Sequence, residues 1–258
     1  TIIEEIDKLR PKLQAGIDLT ALQKLVGPGG TRNAIDCALW DLACKKSGRS
    51  IWELTGINPG AVNTMCTVSL HPDPEHMARE ALSLSGARTI KLKAGADNSI
   101  ACIEAVHGAR PDADLLVDAN QSWNMDLLTE VLDRAEQLGV RAIEQPLPVG
   151  EDDDLMHLES SADLIADESA HTTAELEELR ERYQVVNIKL DKTGGLTEAL
   201  NMARTAQAMG LKLMVGNMLG TSLAMAPAMV IAQMCSYVDL DGDRKSTRLN
   251  SSHSSVSR

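Results

Sequence analysis

Five strand-like runs in this chain end in charged or polar side chains. They are Ile90-Lys91-Leu92-Lys93, Val117-Asp118-Ala119-Asn120, Ile143-Glu144-Gln145-Pro146, Ala166-Asp167-Glu168-Ser169 and Ile188-Lys189-Leu190-Asp191. The last belongs to the longer stretch Val185 to Gly195, an apolar β-branched run that stops at Gly194-Gly195 before a new helical pattern. A lysine inside such a run is costly to bury unless it has a partner or a task. Standing alone, Lys189 could equally snorkel to solvent. Its four counterparts recur at intervals of about one βα unit. In a parallel barrel that spacing brings all five ends to one rim, where catalytic side chains gather.

Three carboxylates facing one another, Asp118, Glu144 and Asp167, repel strongly. A hard divalent cation relieves the repulsion, and an oxygen-only donor set favours Mg²⁺ over zinc, one ion per chain. Separate helix caps or solvated acids would explain any one of the three, but not three at the same relative position. Lys93 on the second strand and Lys189 on the sixth then flank the cation from opposite sides of the mouth. A lysine serves as a base when its pKa falls toward neutrality, and a cation or a fellow ammonium pushes it that way. Two bases on opposite faces of a cation-bound carboxylate can remove an α-proton from one side and return one from the other. The enediolate formed between those steps is held by the positive charge around it.

The elements that must position these groups are legible as alternation. From residue 61 onward, strand patterns lie near 62–68, 88–93, 114–118, 141–144, 163–166, 185–190, 211–215 and 236–240. Helical patterns lie between them near 74–85, 98–109, 125–138, 152–159, 173–182, 195–209 and 222–231. Short apolar strands alternating with helices predict an α/β fold with a parallel sheet, and eight of them predict a TIM-like (β/α)7β barrel. No GxGxxG follows the first strand, which argues against dinucleotide binding. Before the barrel the chain reads as helices at 2–14, 21–26, 33–46 with Thr31 as N-cap, and 50–54. The expected organisation is 1–60 helical, 61–242 barrel and 243–258 a tail of different texture.

Composition narrows the partners. The 258 residues carry a net charge of −12, which argues against nucleic-acid and anionic-membrane surfaces. No apolar run is long enough for a membrane span and no signal peptide is visible. The five cysteines include no CxxC, which suits reduced thiols in a cytoplasmic protein. With no Phe and 11 Met, the core must be aliphatic, with methionine filling the gaps.

These residues resemble the enolase superfamily, in its muconate-lactonizing-enzyme-like subgroup, and within it the dipeptide epimerases of the L-Ala-D/L-Glu type. The resemblance is carried by Lys91-x-Lys93, Asp118, Glu144, Asp167 and Lys189, and by four stretches. Those are Arg32 to Leu42, Glu144-Gln145-Pro146-Leu147-Pro148, Val186 to Leu200 and Asp239-Leu240-Asp241-Gly242. The pairing of a lysine base with Mg²⁺ is a general property of that superfamily. The resemblance implies that Lys93 and Lys189 are the acid/base pair, that Asp118, Glu144 and Asp167 bind Mg²⁺, and that Lys91 helps neutralise the substrate carboxylate. It further implies that Asp239 and Asp241, two apart on the last strand and so pointing the same way, accept the substrate's α-ammonium. Thr67 falls on a substrate-contacting position. Asn217, in the loop after the seventh strand, departs from the residue expected there. The implied partner is a small dipeptide from murein peptide recycling, with a homo-oligomer possible. Alternatives are another reaction of the subgroup (a cycloisomerase or an o-succinylbenzoate-synthase-like dehydratase) or a catalytically incompetent fragment. The Asp239/Asp241 pair disfavours the first of these, whose substrates carry no ammonium.

Relatives of this kind begin with an α+β capping domain, of which residues 1–60 match only the helical part. The tail, Asp243 to Arg258, is rich in Ser and basic residues, and its first eleven residues resemble translated sequencing adapter. The expectation is therefore a fragment with an uncovered site and low activity, its side-chain specificity resting on cap segments that lie elsewhere.

Overall fold

A computed structural model describes residues 1–243. The tail expectation, from residue 244 on, lies outside the described residues. The element order is α1 (Ile2–Gln14), α2 (Leu19–Leu25), α3 (Gly30–Ser47), α4 (Ile51–Thr55), β1 (Cys66–Val68), α5 (Pro74–Ser83), β2 (Thr89–Lys93), α6 (Ser99–Ala109), β3 (Asp114–Asp118), α7 (Met125–Asp133), β4 (Val140–Glu144), β5 (Asp163–Ala166), α8 (Leu176–Leu179), β6 (Val185–Ile188), α9 (Leu190–Thr193), α10 (Leu196–Ala208), β7 (Lys212–Val215), α11 (Ser222–Met225), α12 (Ala228–Ala232) and β8 (Tyr237–Val238).

All eight strands are parallel and paired in chain order. The sheet curls until Met65 N donates to Val238 O at 2.9 Å and Leu240 N donates to Thr64 Oγ1 at 2.9 Å, joining the two ends. Strand residues alternate between faces. Met65, Leu116, Ala142, Ile165, Val185 and Met214 point inward and form one buried cluster, with Tyr237 packed on it. Two residues further along their strands the inward positions become polar: Thr67, Asp118, Glu144, Asp167, Asn187, Asp239. The barrel interior is thus a plug of aliphatic side chains beneath a charged rim. Ile90, Leu92, Leu115, Val117 and Ile143 point outward into the larger core shared with the helices.

Several expected boundaries move. The helix expected at 152–159 is a short 3-10 turn, Asp153–His157, because Asp152 is drawn inward to Tyr183 and Arg182. The helix expected at 173–182 is a 3-10 turn plus α8 and ends at Leu179, which frees Tyr183 to be buried. Helix α3 is capped by Gly29 at φ 130°, not by Thr31, since only glycine enters a helix readily from that backbone conformation. Thr31 instead lies within the helix and donates its hydroxyl to Glu5.

The helical segment is fastened to the barrel through α3. Buried Arg32 donates to Thr193 O at 2.5 Å and Gly194 O at 3.2 Å. Buried Asp36 accepts from Thr197 N at 3.1 Å, and Trp40 Nε1 donates to Thr197 Oγ1 at 3.0 Å. Those acceptors and donors all lie just beyond Lys189, so α3 braces the turn that carries it.

Candidate active site

The five strand ends do converge. Backbone register sets Lys93 beside Asp118 and Asp118 beside Glu144 across β2, β3 and β4. A cavity of about 430 Å³ opens over them, lined by Thr67, Lys91, Lys93, Asp167, Lys189, Asp239 and Asp241 among others.

Lys91 is the innermost cation. Its Nζ lies 2.9 Å from Asp118, 2.7 Å from Glu144 and 2.9 Å from Asp239. Burial pulls its ammonium down, but Glu144, Asp239 and Asp118 together raise its pKa well above the ordinary value. Glu144 is fully buried, and burial with the nearby Asp118 pushes its pKa to about 8 against the pull of Lys91. Its Oε1 accepts from Asn187 Nδ2 at 2.9 Å, while Oε2 is buried and meets only the Lys91 ammonium.

The two remaining carboxylates each hold a candidate base. Lys93 Nζ donates to Asp118 Oδ2 at 2.7 Å and to Asn120 Oδ1 at 2.6 Å, and its side chain is 32% exposed. Lys189 Nζ donates to Asp167 Oδ2 at 2.5 Å from β6, on the far side of Glu144. Burial would raise both acids. Lys91 and Lys93 outweigh it at Asp118, and Lys192 and Lys189 outweigh it at Asp167, so both carboxyls lie below their ordinary values. The expected lowering of Lys189 does not hold here. Burial pulls it down, but Asp167 and Glu144 face it closely and the net direction is upward.

Thr67 and Asp241 meet each other. Asp241 Oδ2 accepts from Thr67 N at 2.9 Å, and its Oδ1 accepts the Thr67 hydroxyl at 3.3 Å. Among the described residues, Asp239 keeps one oxygen, Oδ1, buried and without a hydrogen bond, while Oδ2 faces Lys91. Asn217 donates to Asp239 O at 2.5 Å, which supports the strand end rather than the cavity.

Three contributors were not foreseen. Lys192 donates to Asp167 Oδ1 at 2.6 Å and its pKa is lowered, chiefly by burial. Asn187 sits two residues before Lys189, so the strand period alone could have revealed it. Asn120, at φ 44°, accepts from Lys93 and donates from Nδ2 to Glu168 at 3.3 Å. No pattern flags Lys192, because it reaches the site from a turn that periodicity does not describe.

Among the described residues, no three Asp, Glu, His or Cys side chains are drawn together closely enough to cage an ion. Each candidate carboxylate is turned toward a lysine instead. The donor set still fits a hard cation. It is all oxygen, it comes from three adjacent strands, and among the described residues Glu144 Oε2 is buried with no hydrogen-bond partner, facing the Lys91 ammonium.

Residues 75–248 match the family described as Enolase C-terminal domain-like, and residues 10–56 match the Mandelate racemase / muconate lactonizing enzyme N-terminal domain. The chain belongs to that branch of the enolase superfamily. It is 42% identical over 247 residues to the L-Ala-D/L-Glu epimerase of Escherichia coli K12, covering 94% of this chain and 76% of the relative. It is 43% identical over 227 residues to an N-acetyl-D-glutamate racemase from a Pseudoalteromonas species, covering 88% and 71%. An enolase family member from Agrobacterium tumefaciens with homology to dipeptide epimerases, solved with sodium and L-Ala-L-Glu, superposes with a TM-score of 0.91. That comparison is at 43% identity and covers 94% of this chain and 74% of the other.

Proposed function

We propose that this chain is an isomerase that epimerises dipeptides of the L-Ala-D/L-Glu type by 1,1-proton transfer at the α-carbon. The observation that carries the reading is the placement of Lys93 and Lys189. Each is paired with a different carboxylate, and Glu144 stands between those carboxylates on the intervening strand. An α-carbon held above Glu144 would have one amine on each face. One lysine accepts the α-proton and the other, protonated, delivers a proton to the opposite face. The exchange is charge-balanced and inverts the centre. Asp118, Glu144 and Asp167 would hold Mg²⁺, which when bound supplies Lewis-acid stabilisation of the substrate carboxylate. Lys91, fixed in its charged form, adds positive charge beneath that carboxylate. Asp239 Oδ1 is a buried acceptor in need of a donor, and a free α-ammonium provides one. Thr67 holds Asp241 in place beside it. Met218 and Leu219 line the mouth and help exclude water.

The same reading assigns residues 1–60 to the helical part of a capping domain and 61–242 to the catalytic barrel. It places the activity in the cytoplasm, in the recycling of murein peptides. No helix among the described residues is long and apolar enough to cross a membrane. The test is proton exchange in deuterated water. Lys93→Ala and Lys189→Ala should each abolish epimerisation yet wash deuterium into one epimer only, a different one for each variant. Epimerisation at the wild-type rate in either variant removes that lysine from the pair.

A further inference from the structure

The residue after Glu144 is a polar side chain with no accessible surface, at a backbone conformation that non-glycine residues avoid. Gln145 has φ 38° and is fully buried. Its side chain makes five hydrogen bonds. Oε1 accepts from Asp167 N at 2.9 Å and from Ser169 N at 3.1 Å. Nε2 shares its two hydrogens among Ser169 Oγ at 2.9 Å, Tyr183 OH at 3.2 Å and Leu147 O at 3.1 Å. Its backbone reaches the other way. Gln121 N donates to Gln145 O at 2.8 Å, and Gln145 N donates to Ile165 O at 2.8 Å. One residue therefore ties the turn after β3, the end of β4 and the end of β5, which carry Asp118, Glu144 and Asp167. Behind it Asp152, also buried, accepts from Tyr183 OH at 2.7 Å and from Ser169 Oγ at 3.1 Å, closing the network. Strain of this kind persists where surrounding contacts over-determine the residue, and it collects at functional sites.

We infer that Gln145 is the positioning residue of the cation site: it never faces the cavity, and it sets the spacing of the three carboxylates from behind. The inference rests on the proposed assignment of Asp118, Glu144 and Asp167 as cation ligands. The decisive atom is Oε1, which fixes the backbone amide of the very residue that supplies Asp167. Removing it loosens β5 against β4 while leaving every proposed ligand in place.

The test is cation binding, read by calorimetry with Mg²⁺ and by electron paramagnetic resonance with Mn²⁺, alongside thermal unfolding. Gln145→Met should weaken binding roughly 10- to 100-fold while unfolding stays cooperative, the range seen when outer partners of metal ligands are removed. Tyr183→Phe, which trims the same network away from the strand ends, should lower the unfolding temperature with cation affinity unchanged. If Gln145→Met does not fold, Gln145→Asn, one methylene too short to reach the Asp167 amide, takes its place. Unchanged affinity in the Met or Asn variant overturns the inference, as does an equal loss of affinity in Tyr183→Phe. If the unmodified protein binds neither ion, the ligand assignment itself fails, and that result is distinct from the others.

Discussion

Lys91 serves three carboxylates at once, and burial, with Asp118 beside it, pushes Glu144 up to about 8. Glu144 is raised from an ordinary 4.5 to about 8. Between those values the folded protein binds a proton that the unfolded chain has released, so this group makes stability fall as pH rises across the window. Glu144→Gln has no such proton to lose. In chelator, the variant should gain on the wild type between pH 5 and pH 8, by an amount on the order of a few kcal/mol. Urea midpoints at the two pH values measure it. The same variant should bind Mg²⁺ more weakly, so stability and cation affinity move in opposite directions. Parallel pH slopes for the two proteins would refute the protonated Glu144.

Asp239 gives a second prediction at this scale. A charge-assisted hydrogen bond to a buried acceptor is worth roughly 1.5–3 kcal/mol. Asp239→Asn should raise KM for a free dipeptide about tenfold or more, while N-acetylated substrates should be poor for the wild type. Faster turnover of N-acetyl-glutamate than of L-Ala-L-Glu would move the reading toward the racemase relative. The types and positions of these residues were legible, because charged side chains at strand ends repeat with the βα unit. Their partners were not. Whether Lys189 is raised or lowered depends on which acids stand within 2.5–3 Å, and sequence spacing does not encode that.

At the scale of elements, the brace between α3 and the turn after β6 carries the heaviest demands. Arg32 satisfies the carbonyls of Thr193, Gly194 and Val26 from a buried position. Burial lowers its pKa, opposed by Glu198 and Asp36. Arg32→Met leaves those carbonyls without donors and should destabilise by about 2–4 kcal/mol in denaturant titration. Gly194, at φ 74°, has the Arg32 guanidinium and the Pro28 backbone where a Cβ would lie, so Gly194→Ala should be at least as damaging. A loss below about 0.5 kcal/mol in either variant would mean the brace is slack. The sequence displayed Arg32 to Leu42 and Gly194-Gly195 as separate motifs. That one holds the other was hidden, because the contact spans 162 residues. The shortened elements at 153–157 and 176–179 were hidden for a related reason: tertiary contacts of Asp152 and Tyr183 overrode local helix pattern.

For the whole molecule, the acidic balance and the carboxylate-rich rim make cation binding a source of global stability. Mg²⁺ at a hundredfold excess over its dissociation constant should add about 2.7 kcal/mol, visible as a rise in unfolding temperature that monovalent salt at matched ionic strength does not reproduce. An identical shift with NaCl would mean general screening rather than a site.

The two ends of the sheet meet differently from its other neighbours. Elsewhere adjacent strands share ladders, five residue pairs long between β2 and β3. Between β1 and the two-residue β8 the described residues show no paired ladder; Met65 N donates to Val238 O, supported by Thr64 and by Asp241 gripping Thr67. Closed cylinders open first along their least-bonded line, and here that line runs through the proposed ammonium pocket. In hydrogen–deuterium exchange, the amides of Met65, Thr67 and Leu240 should therefore label ahead of those of Leu115 and Ile143. A dipeptide seated against Asp239 would bridge both lips of that line and should slow its labelling selectively. Recognition of the amino end would then act as a latch on the cylinder, so that a substrate lacking a charged nitrogen leaves the protein breathing as before.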